Sequence, residues 1–328
     1  DIIDLELEKI DAILDKVHED PETDEVKGVE IRLWEKIKQK AKEGRRTGVG
    51  ITAEGDMLAA LGLRYGSDEA IDFAVDIQKT LAVEAYRASV YLAKDRGSFK
   101  IYDARREENN PFIQRLREAD ASMYNDMLKY GRRNIACLTI APTGTTSLMT
   151  QTTSGIEPVF LPVYKRRRKV NPNDQNVRID FVDESGDSYE EFIVFHHKFS
   201  DWMKINGYDT TKHYTDEEID QLVAESPYYK ATSNDIDWVA KVRMQGQVQK
   251  WVDHSISVTV NLPSDVTEEL VGQLYIEAWK TGCKGCTVYR DGSRAGVLVS
   301  NKDKKQAAAP ANEMPAKRPM ELDADVVR

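Results

Sequence analysis

A loop rich in hydroxyl side chains is the stretch of this sequence best suited to chemistry. Residues 139–158 read TIAPTGTTSLMTQTTSGIEP, and they continue an apolar run that begins at residue 134. An apolar strand followed by a tight turn and a helix directs free backbone N–H groups at an anion. We therefore predict that residues 141–147 bind the diphosphate of a nucleotide. The predicted site consists of Ala141, Pro142, Thr143, Gly144, Thr145, Thr146 and Ser147.

Each residue type in this loop has a physical role. Pro142 sets a rigid entry, Gly144 lets a ligand approach the backbone closely, and the four hydroxyl side chains add hydrogen-bond donors. The dipole of the following helix favours negative charge by about 0.3–1 kcal/mol. The loop lacks the lysine of the Gly-x4-Gly-Lys-Ser/Thr motif, which favours phosphate positioning over phosphoryl transfer. On spacing alone, an ordinary capped helix is an equal alternative.

Cysteine chemistry is limited to three residues, Cys137, Cys283 and Cys286. So few cysteines in a chain of 328 residues exclude a disulfide scaffold and favour a reducing, cytoplasmic compartment. We expect Cys137, within an apolar strand, to lie in the core. Cys283 and Cys286 form a CxxC pair, which is a candidate redox dithiol, although structural burial is the favoured alternative. A zinc site needs two further ligands at matched spacing, so we predict no metal site.

The charge balance limits the classes of partner. A net charge of −10 argues against binding to a nucleic-acid backbone, and we interpret the basic run 165–169 as a solvated loop. No apolar stretch reaches about 18 residues, so we expect no membrane-spanning helix. The chain lacks an initiator Met and a signal peptide, and we interpret both ends as cuts through a longer polypeptide.

Helical and strand patterns alternate along most of the chain. The patterns predict helices at 56–63, 67–97, 110–129, 189–202 and 267–281, and strands at 45–52, 134–140, 255–261 and 286–290. Ser67 and Gly97, and also Gly282, are typical caps. This alternation indicates parallel βα units, hence an α/β fold with an open sheet or a closed barrel. The composition changes after residue 300, where residues 301–319 are interpreted as a flexible linker.

Four ordered motifs resemble the large subunits of ribonucleotide reductases, and most closely the class II, adenosylcobalamin-dependent ribonucleoside-diphosphate reductases. The motifs are RRTGVGIT with DML at 45–58, NIACLTIAPTGTTS with SGIEP at 134–158, QKWVDHSIS at 249–257 and GCKGCTVYRDGSR at 282–294. The resemblance covers about residues 30–300 in family-like order. A single tyrosine near Arg290 disfavours a class I large subunit, which has a pair of tyrosines for radical relay.

The resemblance implies a ten-stranded α/β barrel, of which residues 1–300 would form the C-terminal part, with a truncated further domain beginning at residue 320. It also implies a thiyl radical on the cysteine of an Asn-Pro-Cys-Gly-Glu loop. This chain contains no Asn-Pro-Cys. We therefore expect the radical cysteine to lie upstream, the fragment to be inactive alone, and an isolated half barrel to fold poorly or associate.

The implied cofactor is adenosylcobalamin. The implied partners are a ribonucleoside diphosphate, the missing N-terminal part, a thiol reductant such as thioredoxin, and a second copy in a homodimer. Two alternatives remain open at this stage: a non-catalytic nucleotide-binding half that works only with a partner chain, and a class I large subunit. Glu157 and His254 are weaker candidates for contacts near a substrate, and Tyr289 for the wall of its site.

Overall fold

The secondary structure is given by a computed structural model, which describes residues 2–170, 177–182, 187–291 and 293. The helices are α1 (Ile2–Glu19), α2 (Asp24–Gly44), α3 (Glu54–Ala60), α4 (Asp68–Arg96), α5 (Pro111–Ala119), α6 (Ala121–Tyr130), α7 (Gly144–Thr150), α8 (His197–Ile205), α9 (Asp216–Glu225), α10 (Trp238–Gln249) and α11 (Glu268–Thr281). The strands are β1 (Val163–Lys169), β2 (Phe181–Val182), β3 (Ser188–Phe195), β4 (Thr259–Leu262) and β5 (Thr287–Arg290). The predicted linker at 301–319 and the predicted domain start at 320–328 lie outside the described residues.

Four extended segments run parallel to one another, in the order 47–51, 136–140, 254–262 and 287–290. Val49 bridges Leu138, Ile140 bridges Ile256, and β4 pairs with β5, all in parallel. The Val49 N–H donates to the Cys137 carbonyl at 2.7 Å. Helices separate the segments along the chain, so the βα units predicted from the sequence are present. The 47–51 segment forms only an isolated bridge rather than a full buried strand, and Val49 is 47% exposed.

The basic run 165–169 is a β-strand, which corrects its prediction as a solvated loop. It lies in β1, which pairs antiparallel with β3 from Val163–Phe195 to Lys169–Tyr189. Carboxylates on β3 stabilise this pairing, because Arg167 pairs with Glu191 at 2.9 Å and Arg168 with Glu190 at 2.7 Å. The acidic partners stand more than twenty residues away, so local charge density alone did not indicate a strand.

Two helix predictions also require correction. The aromatic segment 189–202 is not one helix, because its first part is β3 and only the second part, from His197, is helical. The segment 110–129 is two helices, α5 and α6, divided at Asp120. Asp120 has an extended backbone (φ −151°) and its side chain accepts from the Met123 N–H, so it ends one helix and caps the next.

The main core lies between the parallel segments and helices α4, α5, α6 and α10. It includes Leu138 and Ile140, each no more than 1% exposed, and Cys137, as predicted. A second cluster joins α8 and α9 to the antiparallel sheet, and a third lies between α10, α11, β4 and β5. The predicted caps are confirmed, since Ser67 accepts from the Ala70 N–H and Gly282 ends α11 with φ 82°.

Candidate functional site

The hydroxyl-rich loop lies at the carboxyl end of the 136–140 segment. Thr143 adopts a left-handed conformation (φ 52°, ψ 22°), and α7 begins at Gly144. Most of the loop is exposed, with Ser147 as its buried exception. A Cβ added at Gly144 would have no atom of the protein within 4 Å. The backbone in front of the helix is therefore open.

Two of the four predicted hydroxyl donors have structural roles. The Thr143 hydroxyl accepts from the Gly155 N–H at 2.8 Å, and the Ser147 hydroxyl donates to the Gly144 carbonyl at 2.8 Å. Ser147 also contacts the Ser154 hydroxyl at 2.7 Å. These bonds attach the loop to the Ser-Gly-Ile-Glu-Pro segment that follows it. By contrast, the hydroxyls of Thr145 and Thr146 are exposed and form no hydrogen bond within the described part of the chain.

The backbone amides at the start of α7 are also unused. The Ser147 N–H donates to the Thr143 carbonyl at 2.8 Å. The N–H groups of residues 144–146 have no acceptor among the residues that the structure describes. The first N–H groups of a helix lack intrahelical partners and attract anions. The loop thus presents three amides and two hydroxyls to whatever lies in front of it.

A cavity of about 1160 Å³ opens beside this loop. It is lined by Gly144, Thr145 and Ser147 from the loop, by residues 152–154 and 157–161, and by side chains of β1 and β3. Three cations of β1 line it, of which Lys165 pairs with Asp216 at 3.1 Å and Arg167 with Glu191. Arg166 has no ion-pair partner in the described ranges. It is therefore an unneutralised positive charge on the cavity wall.

A buried carboxylate joins the loop region to the antiparallel sheet. Asp56, 5% exposed, accepts from the Thr153 N–H at 2.8 Å and from the Tyr228 hydroxyl at 2.9 Å. Its Oδ1 also lies 2.8 Å from Nε2 of His196, which lines the cavity. Burial, and then the charge of Asp56, raise the pKa of Tyr228 above its ordinary value. Asp56 therefore holds together three segments that are distant in sequence.

Two further ionisable groups are buried close to the cavity wall. Glu54 is 1% exposed, and burial raises its pKa to about 8. Lys241 is 2% exposed, and its Nζ donates to the Thr259 carbonyl. Burial lowers the pKa of Lys241 to about 8, although the negative charge of Glu157 acts to raise it. Glu157 lines the cavity and accepts from the Thr259 N–H at 3.0 Å. This bond joins the segment after the loop to β4, and a contact of Glu157 with a substrate stays a prediction.

The cysteines lie away from the loop. Cys283 and Cys286 are half-buried against the cluster between α10, α11, β4 and β5, and neither lines the cavity. Burial raises the pKa of both thiols, which opposes the lowering that CxxC motifs produce elsewhere. Their redox role stays a prediction. Burial also raises the pKa of Cys137 to about 12, as befits a core residue.

Other sequence candidates are separated from the loop. His254 lies at the amino ends of the parallel segments, whereas the loop lies at their carboxyl ends, so His254 does not contact the loop cavity. Tyr289 is half-buried on β5 and is not among the residues lining this cavity. Within the described ranges, no three His, Cys, Asp or Glu side chains form a metal-binding group. Among the described helices, none has the length and apolar character needed to cross a membrane.

Sequence reasoning missed Asp56, His196, Tyr228 and Arg166 as parts of the site. Asp56 stands in the DML motif at 56–58, so that motif was a usable signal. Nothing in the sequence connects His196 or Tyr228 to Asp56, because the contacts span 140 and 172 residues. The pairing of β1 with β3 is what brings Arg166 and His196 to the cavity.

Comparisons with known proteins agree with this architecture. A family profile described as "Ribonucleotide reductase, barrel domain" matches residues 24–289. The vitamin B12-dependent ribonucleoside-diphosphate reductase of Mycobacterium tuberculosis is 31% identical over 307 residues, which cover 88% of this chain and 39% of that protein. A reductase of the same name from Thermoplasma acidophilum is 29% identical over 300 residues, covering 86% of this chain and 34% of that protein.

A solved structure shares the fold. The alpha subunit of the class Id ribonucleotide reductase from Actinobacillus ureae superposes with a TM-score of 0.52 at 18% sequence identity, covering 78% of this chain and 41% of that chain. Together with the family profile, this superposition confirms the α/β reductase-barrel fold expected from the sequence. The chain spans 39% and 34% of the lengths of the two curated relatives.

Proposed function

The chain belongs to the ribonucleotide reductase barrel-domain family, and from this premise we propose that it supplies the substrate-phosphate site of an adenosylcobalamin-dependent ribonucleoside-diphosphate reductase. The enzyme would convert ribonucleoside diphosphates to deoxyribonucleoside diphosphates. The observation that carries the proposal is the open start of α7, where three amides are unpartnered and two of their residues, Gly144 and Thr145, line a large cavity. In α/β folds, ligands bind beyond the carboxyl ends of the parallel strands, which is where this loop lies.

The diphosphate would bind to the amides of residues 144–146 and to the hydroxyls of Thr145 and Thr146. Anion binding by N–H groups at the start of a helix is favoured by both hydrogen bonding and the helix dipole. Arg166 adds a guanidinium without an ion-pair partner to the same cavity. Arginine suits phosphate because its N–H groups form paired hydrogen bonds to two oxygens.

The remaining loop residues position the binding groups. Thr143 and Ser147 form the hydrogen bonds that hold the loop to residues 154–155. Asp56 fixes the neighbouring Thr153 N–H and the His196 ring. A binding loop held by bonds of this kind loses little conformational entropy when its ligand arrives.

The cofactor enters the proposal through the relatives, which are named vitamin B12-dependent. The residues that line the cavity do not by themselves form a corrin site. The imidazole on its wall, His196, has its Nε2 engaged by Asp56. The role of this chain in the proposal is therefore to bind and orient the substrate.

The radical step is assigned to a part of the enzyme outside this chain, because the chain contains no Asn-Pro-Cys sequence. Cys137 is unsuited to it, since its thiol is 3% exposed within the core. A thioredoxin-like reductant, the CxxC pair as a dithiol relay, a homodimer and a cytoplasmic location stay predictions of the same proposal. Neither a nucleic acid nor a membrane is required by it.

Replacing Gly144 by Val tests the loop. A Cβ added at Gly144 meets no other part of the protein within 4 Å, so the substitution adds bulk in front of the amides rather than in the core. Gly272→Val on α11 is a matched control, because a Cβ there also has no neighbour within 4 Å. We expect the free energies of unfolding of the two variants to differ by no more than about 1 kcal/mol. Only Gly144→Val should weaken the binding of a ribonucleoside diphosphate, by about tenfold or more.

The measurement is titration calorimetry of the assembled reductase with ADP or CDP, together with turnover. Equal affinity of Gly144→Val and Gly272→Val would remove the loop from the site. A non-catalytic nucleotide-binding chain would show the same loss of affinity, but the assembled wild-type protein would form no deoxyribonucleotide.

A further inference from the structure

A second cavity, of about 490 Å³, lies at the amino ends of the parallel segments. Its wall includes Arg46, Ala136, Asp253 and Lys284, which lie at or just before the starts of four neighbouring segments. The cavity shares no lining residue with the one beside the phosphate loop. Because the loop follows the carboxyl end of the 136–140 segment, the two cavities occupy opposite ends of the same strands. Its volume is in the range of small-molecule sites.

This second cavity is positively charged in an acidic chain. Arg46, Arg115, Arg132 and Lys284 line it, with Glu107 and Asp253 as its only lining carboxylates, which leaves a formal charge of +2 when His254 is neutral. The whole chain carries −10. A local excess of cations attracts small anions to this cavity even though the chain as a whole is acidic.

Both carboxylates are already engaged. Glu107 is held in a two-bond contact by Arg132, at 2.5 and 2.6 Å. Asp253 accepts from the Tyr86 hydroxyl at 2.7 Å and from the N–H groups of Cys137 and Leu138 at 2.7 and 2.9 Å. Glu107 is therefore neutralised by Arg132, whereas the donors to Asp253 are neutral, so its charge offsets one of the three remaining cations and the excess of +2 stays.

Two guanidinium groups retain unused donors. Arg115 donates only through Nε, to the Lys250 carbonyl at 2.9 Å, and burial lowers its pKa despite the opposing charge of Glu118. Arg46 makes one contact, from its Nη1 to Nε2 of His254 at 3.1 Å. Lys284 differs, because its ammonium donates to the carbonyls of residues 252–254. It contributes charge to the cavity rather than a free donor.

A buried amide gives an independent indication of a ligand. Gln249 is 4% exposed and lines the cavity. Its Nε2 donates to the Val252 carbonyl at 2.9 Å and to the His254 carbonyl at 2.8 Å, so the amide orientation follows from its two acceptors. Its Oε1 is buried and has no partner in the described structure. A ligand hydroxyl or N–H would satisfy this acceptor.

We infer that this cavity is a second anion site, which binds a small phosphate-bearing molecule through Arg46 and Arg115, with Gln249 accepting a hydrogen bond from it. A phosphate oxygen suits the two guanidinium groups, and a protonated phosphate or a sugar hydroxyl suits the amide oxygen. The site is separate from the proposed substrate site. The shared chemistry is that of phosphate, whether free or carried by a nucleotide.

The test uses pyrophosphate and ADP as probes, titrated into the assembled reductase that carries Gly144→Val, which removes the loop site. Arg46→Gln and Arg115→Gln each take away a charge while keeping the side chain polar. Arg117→Gln is the matched control, because Arg117 lies on the same helix as Arg115 but does not line the cavity. We expect saturable pyrophosphate binding that falls about tenfold in either of the first two variants and is unchanged in the control.

The comparison of probes identifies the source of the phosphate. Tighter binding of ADP than of pyrophosphate would support a nucleotide site, and equal binding would support recognition of the phosphate alone. Absence of saturable pyrophosphate binding in the Gly144→Val protein would overturn the inference. So would an equal response to Arg115→Gln and Arg117→Gln. These outcomes leave the proposed substrate site untouched, since that site is tested by Gly144→Val against Gly272→Val.

Discussion

Replacing Glu54 by Gln should remove a large part of the pH dependence of stability. Glu54 is the first residue of α3, is 1% exposed, and has no hydrogen-bond partner for either carboxylate oxygen among the described residues. Burial raises its pKa from 4.5 to about 8. At neutral pH the folded chain therefore keeps a proton on Glu54 that the unfolded chain has released.

The sign and size follow from this difference in bound protons. Between pH 4.5 and about 8 the folded state binds more protons at Glu54, so stability falls as pH rises, by about 1.4 kcal/mol per pH unit. At pH 7 the accumulated loss is about 3 kcal/mol. Gln is neutral at every pH in this range. The Glu54→Gln variant should therefore be more stable than the wild type by about that amount at pH 7, and the two stabilities should become nearly equal near pH 4.5.

Urea unfolding followed by tryptophan fluorescence, at several pH values between about 5 and 8, measures this difference. Glu8→Gln is the control, because Glu8 is exposed on α1 and should leave the wild-type pH dependence unchanged. A free-energy difference between Glu54→Gln and wild type that stays constant from pH 5 to pH 8 would refute the assignment of a protonated, unpartnered carboxyl group.

Two other substitutions test the packing around the parallel segments. Asp253→Asn should destabilise the chain by about 3 kcal/mol in the same urea assay, because Asp253 accepts from the Tyr86 hydroxyl and two backbone amides; an effect no larger than that of exposed Asp72→Asn would contradict this. Below pH 8, Lys241→Met should stabilise the chain by up to about 3 kcal/mol, because it removes a buried charge. The loss of the hydrogen bond to the Thr259 carbonyl should reduce this gain by about 1 kcal/mol. Since wild-type stability should rise as pH increases from about 8 to 10.5, this gain should shrink over that range, and a gain that is constant with pH would exclude burial as its cause.

Features set by neighbouring residues were predictable from the sequence. The cap at Ser67 depends on the N–H of Ala70, three positions away, and the end of α11 depends on the left-handed backbone of Gly282. The hydroxyl-rich loop is of the same kind, since its turn and the start of α7 lie within residues 141–147. Family-like motifs in order extended this local information to the fold as a whole.

The strand assignments show where local information became insufficient. The basic run at 165–169 and the aromatic segment after Tyr189 each looked like a different element, because each was judged without its partner. Their antiparallel pairing supplies carboxylates for Arg167 and Arg168 and makes both segments extended. Asp120, likewise, divides a segment whose apolar pattern runs on without a break.

The sequence by itself therefore determined the caps, the turn and helix start of the hydroxyl-rich loop, and the family of folds, because these depend on backbone preferences within a few residues or on ordered motifs. Only the tertiary structure decided which groups are free to bind. In the folded chain the hydroxyls of Thr143 and Ser147 form hydrogen bonds within the protein, whereas those of Thr145 and Thr146 do not. Folding also brings Asp56 into contact with His196, 140 residues away. Hydrogen bonds and charges depend on distance in space, and the chain brings such groups together only when it folds.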